Sequence, residues 1–348
     1  MKQPFLSIAI PTFNRAKKLE SQLSALHKIL SASSFSSNIE LVVVDNCSTD
    51  STQECIKHFA SLEREYIFLS YKNGMNIGAE KNFGQGILRS QGEFTWLLSD
   101  DDTVHEDAID HIYQSLHSNQ EVGFCFVNFN QDPTIGLPAI KVDSKDFISR
   151  NVSEYISSTM FADSMISACI YRKSLLTKNA LTEMKKGPYE YMYWTLNIVK
   201  NYSALIIQTP LFSVNHPGIK ESRKGAGKRE DNADFYLEAH IDFLRYTSAI
   251  YNFPLSLSLR LKIYRLTNNE NLNQTLYHKI TTSGLGYNFA ALKLALPVMF
   301  GKFYFSPSFW LVQLPLLLLP SHFARFFEPL RWKYLDFRAF LGNVIRKF

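Results

Sequence analysis

The chain has 348 residues, 46% of them hydrophobic and 20% charged, with only 15 Gly and 13 Pro. This excludes a disordered, collagen-like or low-complexity protein and leaves room for one large domain, or a domain of about 200 residues with an appendage. The formal charge is a modest +5 and sits at the end of the chain, where Tyr287 to Phe348 carries eight Lys or Arg against Glu328 and Asp336.

The first apolar run, Phe5–Ile10, meets Pro11-Thr12-Phe13-Asn14-Arg15 without a small-residue cleavage site, so it reads as a strand and not as a secretory signal. Leu19, Leu23, Leu26 and Leu30 then recur on one face of a helix. Leu41–Val44 predicts a buried strand closed by Asp45-Asn46-Cys47-Ser48-Thr49-Asp50, and a helix follows through Cys55 and Phe59. Ile67–Tyr71 is a third strand, Asn82–Leu88 a helix, and Phe94–Leu98 a fourth strand running into Ser99-Asp100-Asp101-Asp102. Such alternation predicts a mostly parallel sheet with helices on both faces, in which ligands bind beyond the carboxyl ends of the strands. The polar motifs sit at those ends.

Further along, a helix is expected over 105–116, strands over 123–128 and 167–171, a helix near 191–199 and strands over 205–208 and 211–214. The stretch from His216 to Asp231 has five basic residues, three glycines and no apolar periodicity, the pattern of a basic loop. A helical pattern resumes over 236–251. The division expected is a sheet domain over 1–230 and a helical region over 231–348. Cys47, Cys55, Cys125 and Cys169 form no C-x-x-C pair, which argues against a zinc cluster and for a reducing compartment. No apolar stretch reaches the length needed to span a bilayer; Phe309–Leu319 is interrupted by Gln313 and Pro315.

Three consecutive carboxylates repel one another unless cations or protons relieve them, and hard divalent ions take carboxylate oxygens together with substrate phosphates. Asp100, Asp101 and Asp102 therefore suit a metal–diphosphate site, although the same residues also suit a solvated turn or a helix cap. Asp45, at the end of its strand, offers oxygens to a base or ribose, while Asp50 suits the start of the next helix. The phosphate cradles G-x-x-x-x-G-K-[ST] and, after the first strand, G-x-G-x-x-G are absent, as are H-E-x-x-H and G-x-S-x-G. His216 offers an imidazole to a metal or diphosphate, and Arg223, Lys224 and Lys228 the charge to close over phosphates.

Four stretches carry a family resemblance: Ser7 to Arg15, Val42 to Asp50, Asn76 to Asn82 and Trp96 to Asp102. In order and spacing they resemble the inverting family 2 glycosyltransferases, and the Leu-Leu-Ser-Asp-Asp-Asp form resembles the abequosyltransferase-like branch of O-antigen synthesis. The resemblance implies a GT-A type, Rossmann-like α/β sheet domain that binds a nucleotide sugar, with Pro11, Thr12, Asn14 and Arg15 in the nucleotide pocket. It implies that Asp45 holds the base, that Asn76 and Lys81 lie near ribose and sugar, and that a divalent metal (Mn²⁺ or Mg²⁺) is bound through the Asp-x-Asp element. Alignment on the commoner Leu-Asp-x-Asp-Asp form places Ser99 at the first Asp, so metal binding rests on Asp101, with Asp100 or Asp102 in support. Relatives have their general base at a helix start after the metal motif. Glu190 stands there, in Glu190-Tyr191 where the family has Glu-Asp, and Asp163 is the competing acid.

From Leu292 onward the chain is aromatic, basic and broken by five prolines, which suits a helical region lying on an anionic membrane without crossing it, or packed on the sheet domain. Together these readings predict a cytoplasmic-face peripheral enzyme that moves a sugar from a nucleotide-diphosphate donor to a lipid-linked saccharide. A sugar nucleotidyltransferase and a non-catalytic nucleotide-sugar-binding protein are the alternatives; a nucleic-acid partner is not expected, because proline-broken Phe and Leu runs suit lipid better.

Overall fold

The computed structural model describes residues 3–132, 136–142, 145–178, 181, 189–215, 233–268 and short pieces between 297 and 314. The chain divides into two compact units, Met1–His216 and Pro217–Phe348.

The first unit is built on one sheet of ten strands. Its opening half alternates as the apolar runs require: β1 (Leu6–Thr12), α1 (Ala16–Ala32), β2 (Ile39–Asp45), α2 (Thr52–Ala60), β3 (Ile67–Lys72), α3 (Ala79–Arg89) and β4 (Phe94–Leu97). β1, β2 and β4 are buried along almost their whole length, as expected for strands covered on both faces. β2 pairs with β3, and β1 lies between β2 and β4, all in parallel. The order β3-β2-β1-β4 reverses direction of travel between β1 and β4, and a crevice opens at such a switch point.

The second half departs from the parallel expectation. After β5 (Thr103–Val104), α4 (Ala108–His117) and β6 (Phe124–Asp132) come the short β7 (Leu137–Pro138) and β8 (Phe147–Ser149), α5 (Val152–Thr159), β9 (Cys169–Arg172), α6 (Glu190–Val199) and β10 (Ala204–Ser213). β9 enters between β4 and β6 and is antiparallel to both, so the sheet is mixed. The two strands expected over 205–208 and 211–214 are one strand, β10, parallel to β6 with a register shift between Ile207 and Phe212. The helix expected from His105 begins at Ala108, because Thr103 and Val104 pair with the end of β10 instead. That pairing fixes the chain just beyond the acidic triplet.

The opposite end of the sheet is tied by a buried carboxylate. Glu40 on β2 accepts from Ser7 Oγ on β1 at 2.5 Å and from the Gln91 main-chain N–H at 2.8 Å, while Gly92 N–H donates to Ser7 Oγ. A buried carboxyl group calls for such donors, and here both bond one oxygen, Oε2, and lock the starts of β1, β2 and β4 together.

In the second unit, α7 (Ala233–Ile250) supplies Ile241 and Leu244 to a small core with Met299, Phe303 and Phe309. Lys302 reaches over it to the Leu244 carbonyl at 3.2 Å and to the hydroxyls of Thr247 and Ser248, and burial brings its pKa down to about 7. Among the described residues no helix is long and apolar enough to cross a membrane. The chain beyond residue 314 lies outside the described residues.

A Cβ on Gly92 would stand 2.7 Å from both the main-chain nitrogen and Oγ of Ser7. Gly92→Ala must push β1 away or break the Ser7–Glu40 tie, and a loss of about 1–3 kcal/mol is expected in urea unfolding, with the slope of the transition unchanged.

Candidate active site

The ends of β1, β2 and β4 surround a crevice of about 430 Å³ lined by Thr12, Phe13, Arg15, Asn46, Asn76 and Asp100 among others. Backbone geometry makes this possible. Asn14 and Cys47 adopt left-handed conformations with φ 51° and 66°, turning the chain sharply after β1 and β2. Gly78, at φ 88°, turns it again before α3, where a side chain would be strained. Asn14 Oδ1 accepts from Thr49 N–H, and Asn14 N–H donates to Ser48 Oγ, joining the first two loops. Asp50 serves both helices that start here: Oδ1 accepts from Thr52 N–H and Oδ2 from Ala16 N–H, and these hydrogen bonds outweigh desolvation and lower its pKa.

The third loop is held by asparagines. Asn46 donates to Asn76 Oδ1 at 2.8 Å and accepts from Asn73 and from Ile77 N–H. Asn82 accepts from Asn73 and donates to the Val44 carbonyl. Asn46 and Asn82 each donate and accept, as a carboxamide can. Asn46 follows Asp45 among the short polar side chains suited to a base or ribose, whereas Asn82 carries no role in the motif reading; its sequence signal is the density of Asn after two consecutive strands.

At the end of β4 the three carboxylates diverge. Asp100 is buried; it accepts from Thr12 Oγ1 and from Arg15 Nη1, each at 2.7 Å. Asp101, with its side chain 24% exposed, takes Lys18 Nζ at 2.6 Å, Arg15 Nη1 at 3.2 Å and the Ser99 hydroxyl at 2.6 Å. Asp102 is buried and accepts from Ser167 Oγ at 2.6 Å, while Ser167 Oγ also accepts from Ser99 N–H and its carbonyl from Trp96 Nε1. Burial pushes the Asp100 carboxyl up in spite of Arg15 and Thr12. Burial also acts on Asp101, but Lys18, Ser99 and Arg15 together hold it below its ordinary value.

Among the described residues no three His, Cys, Asp or Glu side chains form a ready-made metal cage. The donors present are nevertheless hard oxygens, and the partly exposed Asp101 already draws two cationic side chains. A divalent ion shared between one or two carboxylates and a diphosphate fits such a donor set. Asp101 suits that role better than Asp102, which is turned inward to Ser167.

The other expected site residues fall in different places. Pro11, Thr12, Arg15, Asn76 and Asp100 line the crevice. Asp45 does not: it is fully buried, with Oδ1 taking Ser48 N–H at 2.9 Å and Oδ2 taking the Gln53 amide at 2.6 Å. Glu190 and Lys81 come together at a second cavity of about 300 Å³, with Ile77, Glu80, Lys178 and Trp194. The start of α3 separates the two spaces, since Gly78 and Ala79 face the crevice and Glu80 and Lys81 the cavity. His216, Arg223, Lys224 and Lys228 lie outside the described residues. Phe13, absent from the motif assignments, lines the crevice with 39% of its surface exposed; an aromatic ring left open to water between two loops offers a stacking face to a base.

Residues 7–176 match the Glycosyl transferase family 2 family, so the chain carries a family 2 glycosyl transferase domain. It is 28% identical over 120 residues to abequosyltransferase RfbV of Salmonella typhimurium, a match covering 34% of this chain and 35% of that protein. It is 26% identical over 215 residues to a GalNAc(5)-diNAcBac-PP-undecaprenol beta-1,3-glucosyltransferase of Campylobacter jejuni, covering 58% of this chain and 62% of that one. The fold is shared with the mannosyltransferase PcManGT of Pyrobaculum calidifontis, solved with GDP-Man and Mn²⁺, at a TM-score of 0.51 and 13% identity over 94% of this chain and 88% of that one. The chain thus spans about a third of one of these curated relatives and under two thirds of the other.

Asp163 is completely buried beside Tyr155, and burial pushes its carboxyl up to about 6. The unfolded chain releases this proton near 3.8, so the folded form binds it more tightly. The folded protein is then favoured at low pH and loses this stabilisation as pH rises through about 6, by about 3 kcal/mol in all. Asp163→Asn is expected to raise the melting temperature at pH 8 and to leave it near the parent value at pH 4; a parent-like value at both would show that the carboxyl titrates normally.

Proposed function

We propose that the protein is a metal-dependent inverting glycosyltransferase that moves a sugar from a nucleotide-diphosphate donor to a lipid-linked saccharide, as in O-antigen-like surface polysaccharide synthesis. The observation that carries the reading is Arg15, which leaves the end of β1 to bridge Asp100 and Asp101 at the end of β4, beside an exposed aromatic ring and an asparagine-built loop. The crevice so formed joins a stacking surface for a base to a charged site for a diphosphate.

In this reading Phe13 takes the face of the base, Asn76 and Thr12 border the ribose, and Asp101 with Asp100 holds the divalent ion. When bound, that ion stabilises the negative charge that builds on the departing diphosphate. Asp45, buried with both oxygens bonded, braces the loop that carries Asn46 to the crevice, and Arg223, Lys224 and His216 are assigned to the diphosphate by sequence alone. Glu190 is the general base. Its carboxylate takes the proton of the acceptor hydroxyl as that oxygen bonds to the anomeric carbon from the face opposite the diphosphate; the carbon–oxygen bond to phosphate breaks with its electron pair, and the configuration inverts. The cavity around Glu190 suits the acceptor. Trp194, Ile77 and Leu181 offer apolar surface to the C–H face of a sugar, and Glu80, Lys81 and Lys178 line it with groups that bond hydroxyls.

The lipid-linked acceptor is supported by the Campylobacter relative, whose name carries PP-undecaprenol, and by the basic, aromatic end of this chain. We assign residues 1–230 to the transferase domain and 231–348 to peripheral contact with the cytoplasmic face of the membrane. Trp310 and Leu311 are exposed in the second unit, in keeping with that contact.

Thermal-shift measurement with UDP-, GDP-, CDP- and dTDP-sugars is expected to stabilise the protein with one nucleotide class, and more so with Mn²⁺ or Mg²⁺; no shift with any of them removes the donor site. Glu190→Gln is expected to keep that shift and lose at least about 100-fold in turnover, and Asp101→Ala to lose both the metal-dependent shift and turnover. Loss with Asp163→Asn and retention with Glu190→Gln would transfer the base to Asp163. Cosedimentation with phosphatidylglycerol vesicles, weakened by salt and absent with phosphatidylcholine, is the expected behaviour of the basic end.

A further inference from the structure

Beyond β10 the chain runs through Val214 to Asn215, whose side chain reaches the acidic loop. Its amide nitrogen donates to the Asp101 main-chain carbonyl at 2.8 Å and to Thr103 Oγ1 at 2.7 Å. The ladder between β5 and β10 has its last rung at Thr103–Ser213, so Asn215 extends the tie by side chain alone, two residues further toward the carboxylates. His105 makes a parallel tie. Its Nδ1 is 2.9 Å from the Pro210 carbonyl, its Nε2 2.9 Å from Ser213 Oγ, and its N–H donates to the Leu211 carbonyl.

Asp101 is therefore held from two sides. Lys18 and Arg15, which begin α1, pull on its carboxylate, while Asn215 holds its carbonyl. Fixing a carbonyl fixes the plane of the peptide that follows it, and so restricts how far the backbone that carries the side chain can turn. We infer that Asn215 is a positioning residue that aims the Asp101 carboxylate at the diphosphate and its metal ion. The inference rests on the transferase reading above. It adds to that reading a residue outside the family match, which ends at 176.

The chemistry at this position is selective. A carbonyl oxygen only accepts, so it calls for an N–H at 2.8 Å and repels an oxygen placed there. Asn215→Ala frees the loop, whereas Asn215→Asp sets a carboxylate against the Asp101 carbonyl and adds a negative charge beside the triplet. A residue that merely filled space would rank these two substitutions the other way, because Asp has nearly the shape of Asn. Asn215 is exposed, so neither change removes core packing.

The test measures Mn²⁺ binding by the loss of its free electron paramagnetic resonance signal, with the nucleoside diphosphate selected by thermal shift, together with turnover and melting temperature. Asn215→Ala is expected to raise the half-saturating Mn²⁺ concentration about fivefold and lower kcat about tenfold, as a small misplacement of a reacting group does, with donor KM near the parent value. Asn215→Asp is expected to lose more than Asn215→Ala in both readouts, and both should melt within about 3 °C of the parent. Parent-like Mn²⁺ binding in the Ala variant, or a milder loss with Asp than with Ala, overturns the role of Asn215 while leaving the transferase reading in place. A folded parent that binds neither nucleotide nor Mn²⁺ overturns both.

Discussion

Three adjacent carboxylates at the end of a buried strand are the constraint to which the surrounding structure answers. Left together in a low-dielectric crevice they would repel and protonate. The chain instead gives each its own set of partners, with only Arg15 shared: Asp100 takes Thr12 and Arg15, Asp101 takes Lys18, Arg15 and Ser99, and Asp102 takes Ser167. Those partners come from the loop after β1, the start of α1 and the turn before β9. One electrostatic problem thus sews together residues up to 88 positions apart, and it leaves Asp101 as the one member of the triplet with appreciable exposure.

The sheet order explains why this happens beside an open crevice. β1 and β4 are parallel neighbours at the point where the strand order reverses, and a crevice opens beyond the carboxyl ends of strands at such a point. Left-handed residues at Asn14 and Cys47 tighten the loops after β1 and β2, and Asn46 with Asn73, Asn76 and Asn82 holds the third. A cluster of neutral carboxamides is well suited to this place. It satisfies the backbone groups of an irregular segment without adding charge next to the triplet.

Much of this was legible in the sequence where local chemistry decides the outcome. The apolar runs of β1 to β4, the helix start at Asp50 and the position of the acidic triplet all follow from short-range pattern. The mixed character of the second half was not legible, because antiparallel entry of β9 between β4 and β6 depends on strand partners about fifty to eighty residues apart. Arg15 was read as part of a nucleotide pocket, but its bridge to Asp100 and Asp101 requires knowing that β1 and β4 are adjacent. Phe13 carries no chemical signal of its own in the sequence; only its exposure marks it. Asp45 shows the opposite difficulty, since its motif points to a ligand while the structure fills both of its oxygens with Ser48 and Gln53.

The placement of Glu190 bears on how the two halves of a transfer reaction are kept apart. Its cavity and the crevice share the segment from Asn76 to Lys81, whose residues face the two spaces in turn: Asn76, Gly78 and Ala79 one way, Ile77, Glu80 and Lys81 the other. A donor bound in the crevice and an acceptor bound in the cavity would then touch opposite sides of one short turn, and only the reacting atoms need to meet past it. Gly78 lies in that segment with φ 88°, a conformation that side chains resist. Asn46, donating to the Gly78 carbonyl at 3.2 Å, ties this turn to the loop after β2, so the segment that faces both spaces is held by the same asparagine that lines the crevice.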